Sequence, residues 1–146
     1  VFTQEDLVRE LPSLLRNTPG REKDSPGQGV EVLELENLRN KLERLSRELA
    51  RRVCFRGERY ESGLISFQPQ PEPDPKQIVH TDKDVVCHVL SGQGRLRLNR
   101  AEKTEMILLK AGTVVRISSG IAHDFAASGP EELMIWYLLI TTTSPR

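Results

Sequence analysis

Glycine turns between short apolar runs constrain the fold of this chain more than any other feature. The apolar run at 85–90 stops at Ser91-Gly92-Gln93-Gly94, and Gly112 and Gly120 separate the runs that follow. Short strands divided by glycine at this spacing are typical of an all-β sandwich or barrel. We therefore predict a mostly β jelly-roll barrel over residues 54–146, in which 106–109 pairs with 113–117.

The chain before the barrel is predicted to be largely helical. Residues 1–16 are interpreted as a short helix with an acidic first turn, and residues 17–29, rich in Pro, Gly and charge, as a flexible linker. Residues 30–53 are predicted to form an amphipathic helix, because leucines recur there at steps of three and four. This leucine stripe would pack on the barrel or bind a partner helix; its members are Leu35, Leu38, Leu42, Leu45 and Leu49.

Charge balance and the length of the apolar runs each argue against one class of function. Lys plus Arg and Asp plus Glu both total 21, so the net charge is zero. Non-specific nucleic-acid binding needs a basic surplus, so we expect no direct nucleic-acid contact. Because no apolar run approaches the roughly 20 residues of a membrane helix, we expect no membrane partner.

Two predicted strands are apolar on both faces, although a barrel strand normally shows polar residues to solvent. These strands are 85–90, apart from His88, and 134–140. A second copy of the barrel or the leucine helix would have to cover the outer face. A second copy would create a twofold homodimer, and its predicted interface residues are Val85, Cys87, Val89, Met134, Trp136, Leu138 and Ile140.

The glycine turns and His123 resemble the motifs of the cupin superfamily. Gly112, Gly120 and His123 stand at the spacing of its second motif, and VCHVLSGQGRLRL looks like the end of its first. The resemblance implies a double-stranded β-helix, here with an N-terminal helical extension.

The same resemblance places the metal-ligand positions of that superfamily at Ile78, His80, Val85 and His123. Ile78 and Val85 offer no lone pair, so we predict no metal and no other cofactor. A reduced metal set would consist of His80, Asp84 and His123. Neighbouring strand residues point to opposite faces, so Asp84 and Val85 cannot both point inward.

A narrower resemblance concerns ESGLISFQPQPEPDPKQIVHTDKDVVCHVLSGQGRLRL, which looks like the C-terminal barrel of the centromere protein C family. It implies a non-enzymatic homodimerisation and docking module of a kinetochore scaffold in the nucleus. Its protein partner would be a centromeric histone chaperone or assembly factor. Two alternatives remain: a small metal-dependent cupin enzyme, either an isomerase or a dioxygenase, and a metal-free cupin that binds a small ligand.

Overall fold

A computed structural model describes residues 29–142 of the chain and confirms the mostly β prediction. Strands account for 55% and helices for 6% of these residues. A short helix, α1, is followed by a 3-10 helix and nine strands. Their bounds are α1 Leu35–Leu38, the 3-10 helix Arg39–Lys41, β1 Glu43–Arg44, β2 Leu49–Arg56, β3 Tyr60–Phe67, β4 Lys83–Ser91, β5 Gln93–Arg100, β6 Lys103–Lys110, β7 Val114–Ile117, β8 Ala122–Ala127 and β9 Leu133–Thr141.

The strands form two antiparallel sheets with the double-stranded β-helix connectivity of a cupin. The larger sheet has the order β1-β2-β3-β9-β4-β7, and the smaller one has the order β6-β5-β8. β9 lies between β3 and β4 and therefore joins the two halves of the larger sheet. All these strands belong to the compact unit that begins at Asn40.

The core lies between the two sheets, and the central strands contribute alternate residues to it. From β9 it receives Leu133, Ile135 and Tyr137, and from β5 it receives Leu96 and Leu98. The predicted alternation in β5 is therefore confirmed, because Arg95 and Arg97 point away from this core.

The predicted helix over residues 30–53 is wrong. Helical turns cover only Leu35–Leu38 and Arg39–Lys41, and Leu49–Arg56 is a strand that pairs with β3. Ser46 marks the change, because its hydroxyl accepts hydrogen bonds from the backbone amides of Glu48 at 3.3 Å and Leu49 at 3.1 Å. Such a serine turn competes with the helix, and pairing with β3 overrides the helical propensity of the leucines.

The leucine stripe therefore does not exist as one helical face. Leu35 and Leu38 lie in α1, Leu42 and Leu45 lie outside regular helix and strand, and Leu49 packs against the barrel core. The predicted 1–16 helix and all but the last residue of the 17–29 linker lie outside the described residues. In the described part of the chain, no helix is long and apolar enough to cross a membrane.

The predicted pairing of 106–109 with 113–117 is also wrong. β6 pairs with β5 throughout its length, whereas β7 pairs with β4 in the other sheet. Gly112 has a φ of 93°, a conformation that favours glycine, and the chain passes there from one sheet to the other. Within residues 29–142, the second edge of β6 has no strand beside it.

The core packing predicts a large stability difference between two leucines of the smaller sheet. Leu96 is fully buried, whereas Leu108 is 80% exposed. We expect Leu96→Ala to lower the free energy of unfolding by about 2–5 kcal/mol, and Leu108→Ala to lower it by less than about 0.5 kcal/mol. Urea denaturation measures both, and similar losses for the two variants would contradict the assignment of inner and outer faces.

Candidate functional site

A small cavity inside the barrel brings the predicted metal-ligand positions together. Its volume is about 90 Å³, and its lining includes all four of them, Ile78, His80, Val85 and His123. The remaining walls are mainly apolar and include Phe67, Phe125, Ile135 and Leu139. The positions inferred from the cupin resemblance are therefore neighbours in space, although only two of them carry a donor.

His123 is held rigidly on the smaller sheet. Its backbone forms a reciprocal bridge with Ile78, at N–O distances of 2.8 and 2.9 Å. Its buried ring donates from Nδ1 to the carbonyl oxygen of Ile121 at 3.0 Å. This hydrogen bond assigns the proton to Nδ1 and leaves Nε2 as the ring's second polar atom. His123 is thus a barrel histidine bonded to a neighbouring residue.

His80 approaches His123 from the segment that precedes β4. The two ring centroids lie 5.8 Å apart. Burial lowers the pKa of His80, and the nearby His123 and Lys83 lower it further. Both effects favour the neutral imidazole, because a charged His80 ring would be poorly solvated and would be repelled by the Lys83 ammonium.

Asp84 does not complete a metal set with these histidines. Its carboxylate accepts a hydrogen bond from the Ser119 amide at 2.9 Å and lies 3.6 Å from Arg116. Val85, the next residue in β4, points into the core instead. Strand alternation therefore turns Asp84 away from the cavity, and the reduced set of His80, Asp84 and His123 is wrong.

The cavity does not fit the metal that cupin barrels commonly hold. In residues 29–142, no three His, Cys, Asp or Glu side chains are close enough to share an ion. Two imidazoles remain, facing the methyl groups of Ile78 and Val85. A catalytic metal needs at least three protein donors and an open position. The four positions supply only two donors, His80 and His123.

Sequence reasoning missed a second polar pair at the cavity. The hydroxyl of Tyr137 donates to the carboxylate of Glu61 at 2.9 Å. Burial, together with this hydrogen bond, raises the pKa of Tyr137, so the phenol stays protonated. The signal for Tyr137 was available, since it shares the inward parity of Leu133 and Ile135 in β9. Strand alternation does not reveal the role of Glu61, because that role depends on a hydrogen bond with Tyr137, which lies 76 residues away in sequence.

The predicted dimer interface divides between the two faces of the larger sheet. Val85, Cys87 and Val89 belong to the barrel core, so this part of the prediction is wrong. Met134 has the outward parity but is already inaccessible in the single chain. In contrast, Trp136, Leu138 and Ile140 lie on the outer face and are at least partly accessible.

These three residues belong to a larger apolar surface, which we call the outer patch. Strand register sets Leu138 opposite Val86 and Ile140 opposite Tyr60. His88 lies between Trp136 and Val114 in the same row. Tyr60 and Val114 are 48% and 62% exposed. The outer patch comprises Tyr60, Val86, Val114, Trp136, Leu138 and Ile140.

The outer face of the smaller sheet is organised by a buried carboxylate. Asp124 in β8 is fully inaccessible and accepts hydrogen bonds from Arg97 at 2.9 Å and from Arg95 at 3.4 Å. The two guanidinium groups share this single carboxylate, which leaves a surplus of positive charge on β5. Removing one partner of such a buried ion pair is strongly destabilising.

Comparisons with known proteins agree with this architecture. The Cupin domain family model matches residues 63–141, more than half of the chain. The chain therefore belongs to the cupin family. No curated protein sequence matches the chain.

Solved structures resemble the chain in fold at low identity. The Schizosaccharomyces pombe Cnp3 cupin domain is 16% identical, has a TM-score of 0.58, and the match covers 68% of this chain and 67% of that one. TT1209 from Thermus thermophilus is 20% identical, with a TM-score of 0.62 and coverages of 77% and 98%. KdgF from a Halomonas species is 15% identical, with a TM-score of 0.57 and coverages of 68% and 86%.

The lowered pKa of His80 predicts a specific dependence of stability on pH. The unfolded chain has the ordinary value of 6.5 and binds the proton more tightly than the folded chain. The free energy of unfolding should therefore fall as the pH drops below 6.5, with no contribution from His80 well above it. Urea denaturation at neutral and mildly acidic pH should show a smaller fall for His80→Gln than for the wild type. The exposed His88 provides the control, and His88→Gln should retain the wild-type contribution of His80.

The cavity geometry predicts that metal binding can be gained by two substitutions. We expect the purified wild-type protein to hold far less than one equivalent of Zn, Mn, Fe or Ni. Ile78→His with Val85→Glu would place four donors around the cavity, so this variant should bind metal and gain thermal stability on loading. Elemental analysis and thermal unfolding, each with and without a chelator, measure both effects. Stoichiometric metal in the wild type, lost on His80→Ala and His123→Ala, would contradict the assignment.

Proposed function

We propose that this cupin is a non-enzymatic homodimerisation and protein-docking module, joined through the outer patch of its larger sheet. The single observation that carries the proposal is the apolar character of this patch across strands β3, β9, β4 and β7. A barrel wall that faced water permanently would show polar residues at these positions. Contiguous exposed apolar surface of this kind marks protein–protein interfaces.

A second copy is the occupant that fits the outer patch best. The leucine helix that could have covered it does not form, because β2 extends the same sheet. A twofold axis near β9 would pack the outer patch against itself, which is the usual geometry of a homodimer. Trp136 would then be the central anchor, since buried tryptophan is enriched in the energetic centres of interfaces.

His88 limits how this interface can form. Its ring is exposed and lies among Trp136, Val114 and Val86 in the register of the sheet. Arg116 and Asp84 occupy the outward positions at the border of the patch. A dimer that covers His88 would have to supply hydrogen-bond partners to its ring nitrogens, because a buried polar group without a partner is costly.

The barrel interior supports a scaffold rather than an enzyme. The cavity at the metal-ligand positions has a volume of about 90 Å³, small beside the roughly 300–1,000 Å³ of typical ligand pockets. It shares Phe67, Ile78 and Phe125 with a larger pocket of about 340 Å³. Two of its four metal-ligand positions are aliphatic. The interior therefore contributes mainly apolar packing, and the proposed recognition of partners takes place on the outer surfaces of the barrel.

A place in a kinetochore scaffold is the more specific part of the proposal. Its supports are the sequence resemblance to the centromere protein C family and the shared fold with the Cnp3 cupin domain. In this role the dimer would join two scaffold chains in the nucleus. Its docking surface would take a centromeric histone chaperone or assembly factor. A fluorescently tagged chain should then concentrate at centromeres in its own cells, and uniform nuclear or extranuclear signal would contradict this role.

The outer patch predicts a dimer that a single charge disrupts. Light scattering should give twice the chain mass for the wild type and a monomer for Trp136→Glu and for Leu138→Glu. An unpaired charge at the interface should cost about 3–5 kcal/mol, which weakens association at least a hundredfold. Leu108→Glu, on the other sheet, is the matched control and should remain dimeric.

Circular dichroism should show the wild-type spectrum for all three variants, because each substituted side chain is at least partly accessible in the single chain. A wild-type protein that stays monomeric at every concentration would overturn the proposal. So would dimers that persist in both Trp136→Glu and Leu138→Glu.

A further inference from the structure

We propose that the open edge of β6 is a docking site for an extended peptide that carries acidic residues around an apolar centre. The peptide would add a fourth strand to the smaller sheet. This site is separate from the outer patch, which lies on the other sheet.

The backbone of β6 offers the first half of the site. β6 is an edge strand of eight residues, and among residues 29–142 it pairs along its whole length with β5 alone. Alternate N–H and C=O groups of β6 therefore point away from the sheet. An unpaired edge of this length is a template for another strand, and peptides commonly bind sheets by completing such an edge.

The side chains of β6 offer the second half. Leu108 and Met106 share the outer face and are 80% and 54% exposed. Leu108 is the most exposed of the large apolar side chains that the structure describes. A neighbouring strand would cover both residues through cross-strand contacts, which are the main source of stabilisation between paired strands.

Charge on and beside β6 selects an acidic peptide. Lys103 and Lys110 close the two ends of the strand, and neither forms an ion pair among residues 29–142. Glu105, the one acidic residue of β6, is already paired with Arg100 at 2.6 Å. On β5, Arg95 and Arg97 share the single carboxylate of Asp124. The edge thus presents apolar side chains between positive ends.

The same charges disfavour a second copy at this edge. An antiparallel β6 from another copy, centred on the apolar residues, would bring lysines of the two copies together at both ends. Like charges facing each other across strands are destabilising. A second twofold contact in addition to the outer patch would also produce open-ended polymers instead of a closed dimer.

Fluorescence anisotropy with a short labelled peptide tests the proposal directly. The probe alternates valine and threonine between terminal aspartates. Its two comparison peptides carry lysine in place of both aspartates, or proline in place of the central threonine. We expect the aspartate probe to bind at least tenfold more tightly than either comparison peptide, because proline breaks strand pairing and lysine repels the edge.

Variants of the full chain locate the binding edge. Leu108→Gln should weaken binding of the aspartate probe at least tenfold, because it removes the apolar contact and adds no charge. Lys103→Glu with Lys110→Glu should do the same and should make the lysine peptide the better ligand. Val79→Gln, which changes an exposed apolar residue outside β6, is the matched control and should change binding by less than twofold.

Four results would overturn the proposal. The first is the absence of saturable binding of the aspartate probe. The second is equal binding of the aspartate and proline peptides. The third is binding that neither β6 variant changes. The fourth is a particle larger than the dimer that Leu108→Gln reduces to a dimer, because a second copy would then occupy the edge.

Discussion

The rest of this molecule depends on how the side chains of β9 alternate between the two faces of the larger sheet. β9 pairs with β3 on one side and with β4 on the other. These two pairings fix which of its side chains face the core and which face outward. Leu133, Ile135 and Tyr137 fill the barrel core, while Trp136 and Leu138 point outward. A shift of one residue would exchange the two sets. Core packing therefore determines which apolar side chains remain for an interface.

The interior shows that a cupin barrel can form with aliphatic side chains at two of its four metal-ligand positions. Ile78 and Val85 occupy the ligand positions without disturbing the strands, because aliphatic side chains suit both the core and the sheet. His80 and His123 remain beside each other, and the structure explains them by local bonding and burial. With aliphatic side chains at two of the four positions, the lining of the cavity is mainly apolar.

Those surfaces are different in kind. The outer patch is broad, apolar and built from the middle of the larger sheet, which suits a self-complementary contact. The β6 edge combines an unpaired backbone with apolar side chains and positive ends, which suits an extended acidic segment. A dimeric scaffold with one such edge on each copy would hold two peptide segments at once, and bivalent binding of this kind raises avidity without new contacts.

Much of the fold could be predicted from local patterns, because a strand with one buried face repeats every second residue. The alternation in β5 and the glycine turns were available in this way, whereas the four cavity positions were implied by the resemblance to the cupin superfamily. The helix at 30–53 failed for a physical reason. Leucine spacing favours a helix locally, whereas the edge of β3 offers backbone pairing that only the folded sheet supplies.

The sequence by itself determined that this chain forms a cupin barrel and that two of its metal-ligand positions are aliphatic. Both facts depend on residue identity and spacing along the chain. Only the tertiary structure decided which face of each apolar strand is buried, where Asp84 points and which edge of β6 is open. These depend on strand pairing between residues distant in sequence. In a strand that is apolar on both faces, the sequence pattern does not indicate which face is buried; pairing with the neighbouring strands determines it.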